Sequence, residues 1–360
     1  MTFLTRRISV GSGSAATDVW IGPGLLDAAG SRLVSPSGRF LLITSAGPRA
    51  AAERVRRALA GRLLIDLEID DREESKSLGA VSGIADAALG AGVRRDDALV
   101  AVGGGVVSDV AGFAAAILLR GIPWNAIPTT TGAMADAAIG GKTGVDHPEG
   151  KNLLGAFHPP RVVLADPAAL EGLPEREFRA GLVEAVKAAW IADAPLARRA
   201  EETLPAILAR EEGPLLDLLA GAAAVKAEIV AGDPKESDGR RLLNFGHTLG
   251  HAFEAAGGYR RLRHGEAVAW GIRAAVDLSV RRTGLSAEAA GRVADLLSRL
   301  GPFPAPEISA ERLSPFLSRD KKATAGGIAG VLLQEIGKAR VEESVPLQEW
   351  LDAAARISLP

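Results

Sequence analysis

Three of the five histidines in this chain, His247, His251 and His264, fall in one short stretch, NFGHTLGHAFEAAGGYRRLRHGEAV, residues 244–268. On a helix His247 and His251 are four apart and share a face. That is the spacing of H-E-x-x-H, but Thr248 follows the first histidine where a zinc protease carries its general base. A mononuclear catalytic metal usually takes three protein ligands and keeps one position open for substrate. His247, His264 and one carboxylate from elsewhere meet that count. A single histidine is more often structural than ligating; clustering beside Asn244 and Glu266 shifts the balance toward a ligand. The chain has no cysteine, so thiolate zinc, iron–sulfur clusters, disulfides and cysteine nucleophiles are excluded, and any metal must be held by nitrogen and oxygen.

Two further stretches are chemically loaded. LVAVGGGVVSDVAGFAAA reads as a strand, three glycines and a helix start, a turn whose bare N–H groups suit a phosphate or pyrophosphate. As G-x-G-x-x-G it has Ser108 in the last place, so a tight turn without ligand stands beside the dinucleotide reading. The second stretch, PTTTGAMADAAIGGKTGVDHPEGKN (128–152), combines Thr hydroxyls, a Gly-Gly pair, Asp136, Lys142, Lys151 and Asn152. Such groups are poor core material and fit the lining of a polyoxygenated anion, with a solvated loop as the alternative.

The elements that must position these groups fall into two halves. RFLLITSAG (39–47), DALVAVGGG (97–105), GIPWNAIPTT (121–130) and RVVLAD (161–166) read as strands. PRAAAERVRRALAG and AVSGIADAALGAG between them have helical spacing. Repeated strand, turn and helix predict a parallel α/β domain. From about residue 178 RAGLVEAVKAAWIADA, GPLLDLLAGAAAVKAEIVAG, RRLLNFGHTLGHAFEAAG and EAVAWGIRAAVDLSVRRTG are helical, and strand character returns only at GIAGVLLQEIG (327–337). The expected organisation is an N-terminal Rossmann-like α/β domain over 1–172 and a mostly α-helical domain over 173–360.

Bulk properties narrow the function classes. With 42 basic and 44 acidic residues and a net charge of −2, there is no electrostatic case for nucleic acid. RVRRALAGR reads as a solvated helix face. MTFLTRRISV holds no apolar run long enough for a secretory signal. VAGFAAAILL (110–119) is far short of the ~20 residues of a spanning helix. A soluble, cytoplasmic protein with no membrane partner is expected.

Taken together, EESK (73–76), GGGVVSDVAGFAAAILLRGI (103–122), PTT (128–130), DAAIGGKTGV (136–145), EGKNLLGAF (149–157), LPEREFRAGLVEAVK (173–187), GRRLLNFGHTLGHAFE (239–254), HGEAV (264–268) and DKK (320–322) resemble the 3-dehydroquinate synthase family. That family belongs to the sugar-phosphate cyclases, whose fold is shared with iron-dependent glycerol dehydrogenases. The blocks run in order across most of the chain. The resemblance implies conversion of 3-deoxy-D-arabino-heptulosonate 7-phosphate to 3-dehydroquinate and phosphate, a lyase step of the shikimate pathway to chorismate and the aromatic amino acids. It implies transient oxidation at C5 by NAD, phosphate elimination, return of the hydride, ring opening and aldol closure.

Residue by residue, the resemblance implies that Glu184, His247 and His264 bind a divalent metal, Zn2+ or Co2+. It places NAD along Gly103, Gly104, Gly105, Ser108 and Asp109, with Thr129 and Thr130 nearby and Glu73 and Lys76 at the adenosine end; Lys142 and Lys151 adjoin both ligands. Lys142, Asn152, Lys187, Lys226, Arg240 and His251 are implied as catalytic. Asp136, Lys151 and Asn244 are implied to meet the sugar phosphate substrate, with Arg120 from a partner subunit and Lys322 or Lys321 on its phosphate. A homodimer is the expected assembly. Many of these side chains are cationic in a slightly acidic chain, a cluster that is costly unless an anion fills it.

The chain departs from the family's usual pattern at Ser108 (commonly Gly), at Thr44 and Ser45 where an Asp often holds the ribose, at TTTGAMAD before Asp136, and at Asp146 (commonly Asn). None of these removes an implied metal ligand or catalytic cation. The alternatives are a sister cyclase acting on sedoheptulose 7-phosphate, a metal-dependent alcohol dehydrogenase of the same fold, and a noncatalytic binding paralogue. Intact GGKTGV with EGKN argues against the first, and retention of Glu184, His247 and His264 argues against the last.

Overall fold

The computed structural model describes residues 5–11, 16–236, 239–318, 323–324 and 327–358. The chain divides into two compact units, residues 1–178 with 226–235, and 179–225 with 236–360.

The first unit contains β1 (Arg6–Val10), β2 (Thr17–Ile21), α1 (Ala29–Arg32), β3 (Phe40–Thr44), α2 (Arg49–Ala58), β4 (Leu63–Glu68), α3 (Leu78–Gly90), β5 (Ala98–Gly103), α4 (Gly105–Ile117) and β6 (Trp124–Pro128). A hairpin of β7 (Lys142–His147) and β8 (Gly150–Phe157) follows, then β9 (Val162–Ala165). The main sheet runs β1-β2-β9-β6-β5-β3-β4, with β1 antiparallel to β2 and the remaining pairs parallel. Every residue of β3, β5, β6 and β9 is buried. That is why these strands read as mostly apolar runs, with Thr44 and Asn125 the polar exceptions: a parallel sheet is covered on both faces.

The chain leaves β3 toward β4 on one side and continues from β5 through β6 to β9 on the other. The order therefore reverses between β3 and β5. In open α/β sheets ligands bind beyond the carboxyl ends of the strands at such a reversal. Thr44 and Ser45 close β3 there, and Gly103, Gly104 and Gly105 close β5.

In the second unit are α5 (Glu175–Ala192), α6 (Ala194–Leu208), α7 (Glu212–Gly232), α8 (His247–Ala256), α9 (His264–Arg282), α10 (Ala287–Leu300), α11 (Ala310–Ser318) and α12 (Leu347–Ser358). Residues at the ends of α5 and α7 cluster with the first unit. A small antiparallel sheet joins β10 (Ala323–Thr324), β11 (Gly327–Glu335) and β12 (Lys338–Val345). Helix α5 opens on Glu175 and Glu177, acids that favour a helix N-terminus. Its second half is buried all round, every residue from Leu182 to Ile191, so Glu184 and Lys187 sit in the interior. No helix among the described residues is long and apolar enough to cross a membrane.

Three local expectations change. The helical stretch at 240–257 is broken: a 3-10 turn ends at Asn244, Gly246 with a left-handed φ of 79° follows, and α8 starts afresh at His247. The polar stretch 128–152 is built, with a π-helical turn at Ala133–Ala137 followed by the β7–β8 hairpin. Helix α12 and strand β12 extend the C-terminal end beyond the single strand read there.

Candidate active site

The metal-ready cluster is assembled wholly within the second unit. Glu184 comes from the middle of α5, His247 is the first residue of α8, and His264 is the first residue of α9. Two glycine contacts bring these helices close enough. A Cβ on Gly271 of α9 would lie 1.8 Å from the carbonyl oxygen of Gly246, and one on Gly265 would lie 1.8 Å from that of Ala180 on α5. Backbone therefore touches backbone at both crossings. Glu266 fixes the start of α9, its carboxylate accepting the Arg263 N–H at 2.8 Å, in the manner of an N3 capping residue. The Thr248 hydroxyl, at the position where a protease has its base, donates to the Ala329 carbonyl at 3.3 Å and ties α8 to β11.

Around the cluster each of the two imidazoles has an acceptor at Nδ1. His247 Nδ1 lies 3.1 Å from the Phe245 carbonyl oxygen, and His264 Nδ1 lies 3.2 Å from Glu254 Oε2. Both partners are acceptors, so in each neutral ring the proton sits on Nδ1 and the lone pair on Nε2. Those two Nε2 atoms lie 3.9 Å and 3.4 Å from the same oxygen, Glu184 Oε1. Ligands about 2.05 Å from a tetrahedral zinc stand roughly 3.3 Å apart, close to the spacing found. Glu184 is 5% exposed. Lys187 Nζ approaches its Oε2 at 2.5 Å, yet neither carboxylate oxygen receives a well-directed hydrogen bond. Lys187 neutralises the Oε2 side, and Oε1 is left facing the two imidazole Nε2 atoms. One carboxylate and two imidazole nitrogens form a donor set suited to zinc or cobalt.

The titration behaviour follows from this packing. Burial raises the Glu184 pKa, but the Lys187 ammonium and the two imidazoles outweigh it and hold it well below the usual carboxylate range. Burial and the Lys187 charge together push His247 well below its ordinary value. Partial burial works against charge on His264, but Glu254 and Glu184 outweigh it and push its pKa up to about 10. His251, exposed on the next turn of α8, has its ring centroid 5.2 Å from that of His247 and 6.0 Å from that of His264. Arg240 is buried on the 3-10 turn, and Asn244 at its end donates to Glu236 Oε1 at 3.2 Å.

The first unit holds the other expected residues from 73 to 152, together with Lys226, in five places. At the strand reversal Gly103, Gly104 and Gly105 lead into α4, whose first-turn amides have no intrahelical acceptor. The Thr129 N–H donates to the Gly103 carbonyl at 3.0 Å, and a Cβ on Gly104 would meet Thr130 Cγ2 at 3.0 Å. The Ser45 and Ser108 hydroxyls, both buried there, find no hydrogen-bond partner. Orphaned buried hydroxyls beside a glycine turn are what a polar ligand would satisfy.

Close by in the sequence is a charged network. Lys76 is 5% exposed, and its Nζ donates to Asp109 Oδ2 at 2.6 Å and to Asn152 Oδ1 at 2.5 Å. Burial opposes its charge, but Asp109 and Glu73 outweigh burial and raise its pKa. Lys151 Nζ pairs with Glu73 Oε1 at 2.8 Å. Asp146 joins the parts: its N–H donates to the Lys76 carbonyl at 2.9 Å, and its Oδ1 accepts the Asn152 N–H at 2.8 Å. In the hairpin Val145 faces Leu154 and His147 faces Gly150, so Lys151, Asn152 and Leu153 bulge opposite Asp146, with Asn152 at φ 55°. Apart from this network, Lys226 Nζ meets Asp136 Oδ1 at 2.5 Å. Lys142 is exposed at the start of β7, and Arg120 is exposed on a 3-10 turn after α4. Lys321 and Lys322 lie outside the described residues.

Sequence reasoning passed over Glu254, Asp146 as a tether, and Glu236. Glu254 stands three residues after His251 and seven after His247, helical spacing that would have put it on the same face. Glu236 sits in a loop with no pattern to mark it.

Comparison with known proteins addresses the family and the fold. Residues 66–180 match the family described as 3-dehydroquinate synthase N-terminal, and residues 181–323 match 3-dehydroquinate synthase C-terminal. The chain is 42% identical to the 3-dehydroquinate synthase of Caulobacter vibrioides over 355 residues, covering 95% of this chain and 96% of that one. The 2-epi-5-epi-valiolone synthase of Streptomyces hygroscopicus, solved with NAD+ and Zn2+ bound, superposes with a TM-score of 0.86 at 31% identity, covering 98% and 99% of the two chains. An iron-containing alcohol dehydrogenase from Thermotoga maritima shares the fold alone, with a TM-score of 0.67 at 15% identity and 99% coverage of both chains. The architecture is that of the sugar-phosphate cyclases, held in common with iron-dependent alcohol dehydrogenases. Identity of this extent along the whole chain narrows the class further. The chain belongs to the 3-dehydroquinate synthase family and is a lyase.

Proposed function

We propose that this chain converts 3-deoxy-D-arabino-heptulosonate 7-phosphate to 3-dehydroquinate and phosphate, holding Zn2+ or Co2+ on Glu184, His247 and His264 and NAD at the glycine turn after β5. Bound there, the cation supplies Lewis acidity toward the substrate hydroxyls and the dinucleotide a reversible hydride acceptor. The observation that carries the reading is the Glu184 carboxylate, buried without a directed hydrogen bond, with two imidazole Nε2 atoms at 3.4 Å and 3.9 Å. Support for NAD comes from the orphaned Ser45 and Ser108 hydroxyls at the strand reversal and from the Streptomyces relative, solved with NAD+.

The chain's own side chains bind, orient and move protons. Lys187, one turn from Glu184 on α5, places an ammonium beside the cation site to receive a substrate oxygen. Lys142, Lys151, Lys226 and Arg240 offer cations to carboxylate and phosphate, while Asp136 and Asn244 orient hydroxyls. His251, exposed beside the two ligating rings, holds or passes a proton at its imidazole nitrogen. Glu73, Lys76, Asp109, Thr129 and Thr130 serve the dinucleotide, Asn152 serves the substrate, and Arg120 from a partner subunit, with Lys322 or Lys321, binds the phosphate in a homodimer.

The test is a phosphate-release assay with NAD and added zinc or cobalt, offering heptulosonate 7-phosphate and sedoheptulose 7-phosphate in parallel. The expected result is phosphate from the heptulosonate with no net NADH. Turnover of sedoheptulose 7-phosphate alone would assign a sister cyclase, and NADH accumulating with glycerol would assign a dehydrogenase.

A further inference from the structure

We infer that Glu254 is a positioning residue of the cation site, taking the Nδ1 proton of His264 so that the ring's Nε2 is aimed at Glu184 and His247. The inference rests on the cation-site reading above. Two triads share His264: Glu184, His247 and His264, and His251, Glu254 and His264, each with its ligand atoms within 4.8 Å of one another. A neutral imidazole has one lone pair, so it serves one triad as ligand and the other as donor. The structure makes the division. Nε2 lies 3.4 Å from Glu184 Oε1 and Nδ1 lies 3.2 Å from Glu254 Oε2. The triad on the Nε2 side is closed, with Glu184 and His247 buried, whereas His251 on the other side is exposed.

His264 is also the ligand that most needs holding. Its side chain is 47% exposed, against 10% for His247, and it stands at the first residue of its helix, where packing restrains it least. The Nδ1 of His247 is backed by a neutral main-chain carbonyl; that of His264 is backed by a carboxylate 3% exposed on α8. A carboxylate behind an imidazole fixes the tautomer and ring orientation and raises the basicity of the far nitrogen. Losing such a partner typically costs ~10–100-fold in metal affinity.

The experiment measures the zinc dissociation constant of chelator-stripped full-length protein by competition with a chromophoric chelator, and records the visible spectrum of the cobalt-loaded form. Parent, Glu254→Gln, Glu254→Leu and Glu184→Gln are compared. Glu254→Gln keeps an acceptor without the charge and is expected to weaken zinc about 10-fold; Glu254→Leu removes both and approaches about 100-fold. The cobalt spectrum of Glu254→Gln should keep the parent's band intensities, because no ligand is lost. Zinc affinity unchanged in Glu254→Gln, with Glu184→Gln impaired, overturns the inference and leaves the cation site standing. Zinc lost from Glu254→Gln as fully as from Glu184→Gln, with an altered cobalt spectrum, makes Glu254 a ligand and also overturns it. Unchanged affinity in Glu184→Gln sinks the cation site itself. If Glu254→Leu fails to fold, the isosteric Gln variant decides.

Discussion

Replacing Gly265 by alanine should separate the ligands of the cation site without touching any of them. The added Cβ would stand 1.8 Å from the Ala180 carbonyl oxygen and 2.5 Å from its carbon. An ordinary carbon–oxygen contact is about 3.3 Å, so the first turn of α9 must retreat from α5 by roughly 1.5 Å. Glu184 lies one turn beyond Ala180 on the same face of α5, and His264 immediately precedes the substituted residue. Their 3.4 Å separation would then widen toward roughly 5 Å. Two ligand atoms each about 2.1 Å from one zinc cannot be more than about 4.2 Å apart. The variant should therefore lose about 100-fold or more in zinc affinity by chelator competition. It should also lose about 1–3 kcal/mol of stability in urea unfolding, the usual cost of overpacking. A Gly265→Ala protein that binds zinc within about threefold of the parent and unfolds at the same urea concentration would refute the backbone-contact argument.

Zinc binding should release a proton at neutral pH, because His264, with a pKa of about 10, is protonated there until the metal displaces the proton. Apparent affinity should rise about tenfold per pH unit between pH 7 and 9, read by calorimetry in buffers of different ionisation heat; a flat profile contradicts the arrangement. Lys142→Ala should lower phosphate release while leaving the ligand-free melt within about 0.5 kcal/mol of the parent, as expected at an exposed position; a large loss of stability would mean its role is structural. Burial raises the pKa of Asp97, but Ser37, the Arg94 N–H and Arg39 outweigh it and the net shift is downward. Its stabilisation is therefore full above the unfolded carboxylate value near ~3.9 and is lost as pH falls through the lower folded value. Urea unfolding from pH 6 to pH 3 should show a steeper acid loss in the parent than in Asp97→Asn. Asp146→Ala should cost about 1–2 kcal/mol through the lost acceptor for Asn152 and raise KM more than it lowers kcat. Asp146→Asn, which keeps the Oδ1 acceptor, should restore KM; equal behaviour of the two variants would remove Asp146 as a tether.

The parts of the fold that announced themselves are those with one-sided physics. The buried parallel strands β3, β5, β6 and β9 are apolar apart from Thr44 and Asn125, and α5, α7 and α9 carry helical spacing over long spans. The β7–β8 hairpin stayed hidden because its residues are glycine-rich and charged and its register is interrupted at Asp146, which erases the alternation of a strand. The break before His247 was equally silent, since it rests on the left-handed conformation of Gly246 between the 3-10 turn and α8. At the site, the residue types and order of Glu184, His247 and His264 were legible through resemblance, and His247 and His251 through helical spacing. What could not be read was the backing of His264: that Glu254 offers it a carboxylate depends on where α8 and α9 cross. The Lys76 network was likewise beyond reach, because Lys76, Asp109 and Asn152 come from three distant segments and meet only in the folded unit.

The crossing of α8 and α9 at Gly246 and Gly271 has an evolutionary corollary. Where main chain abuts main chain, the gap between two imidazoles is dictated by peptide geometry and not by the bulk of neighbouring side chains. Aliphatic residues elsewhere in those helices can drift in size, and the surrounding cations can be exchanged to suit a different sugar, while the inner pair of rings keeps its separation. Only a methyl group placed on the seam itself would pry the two rings apart.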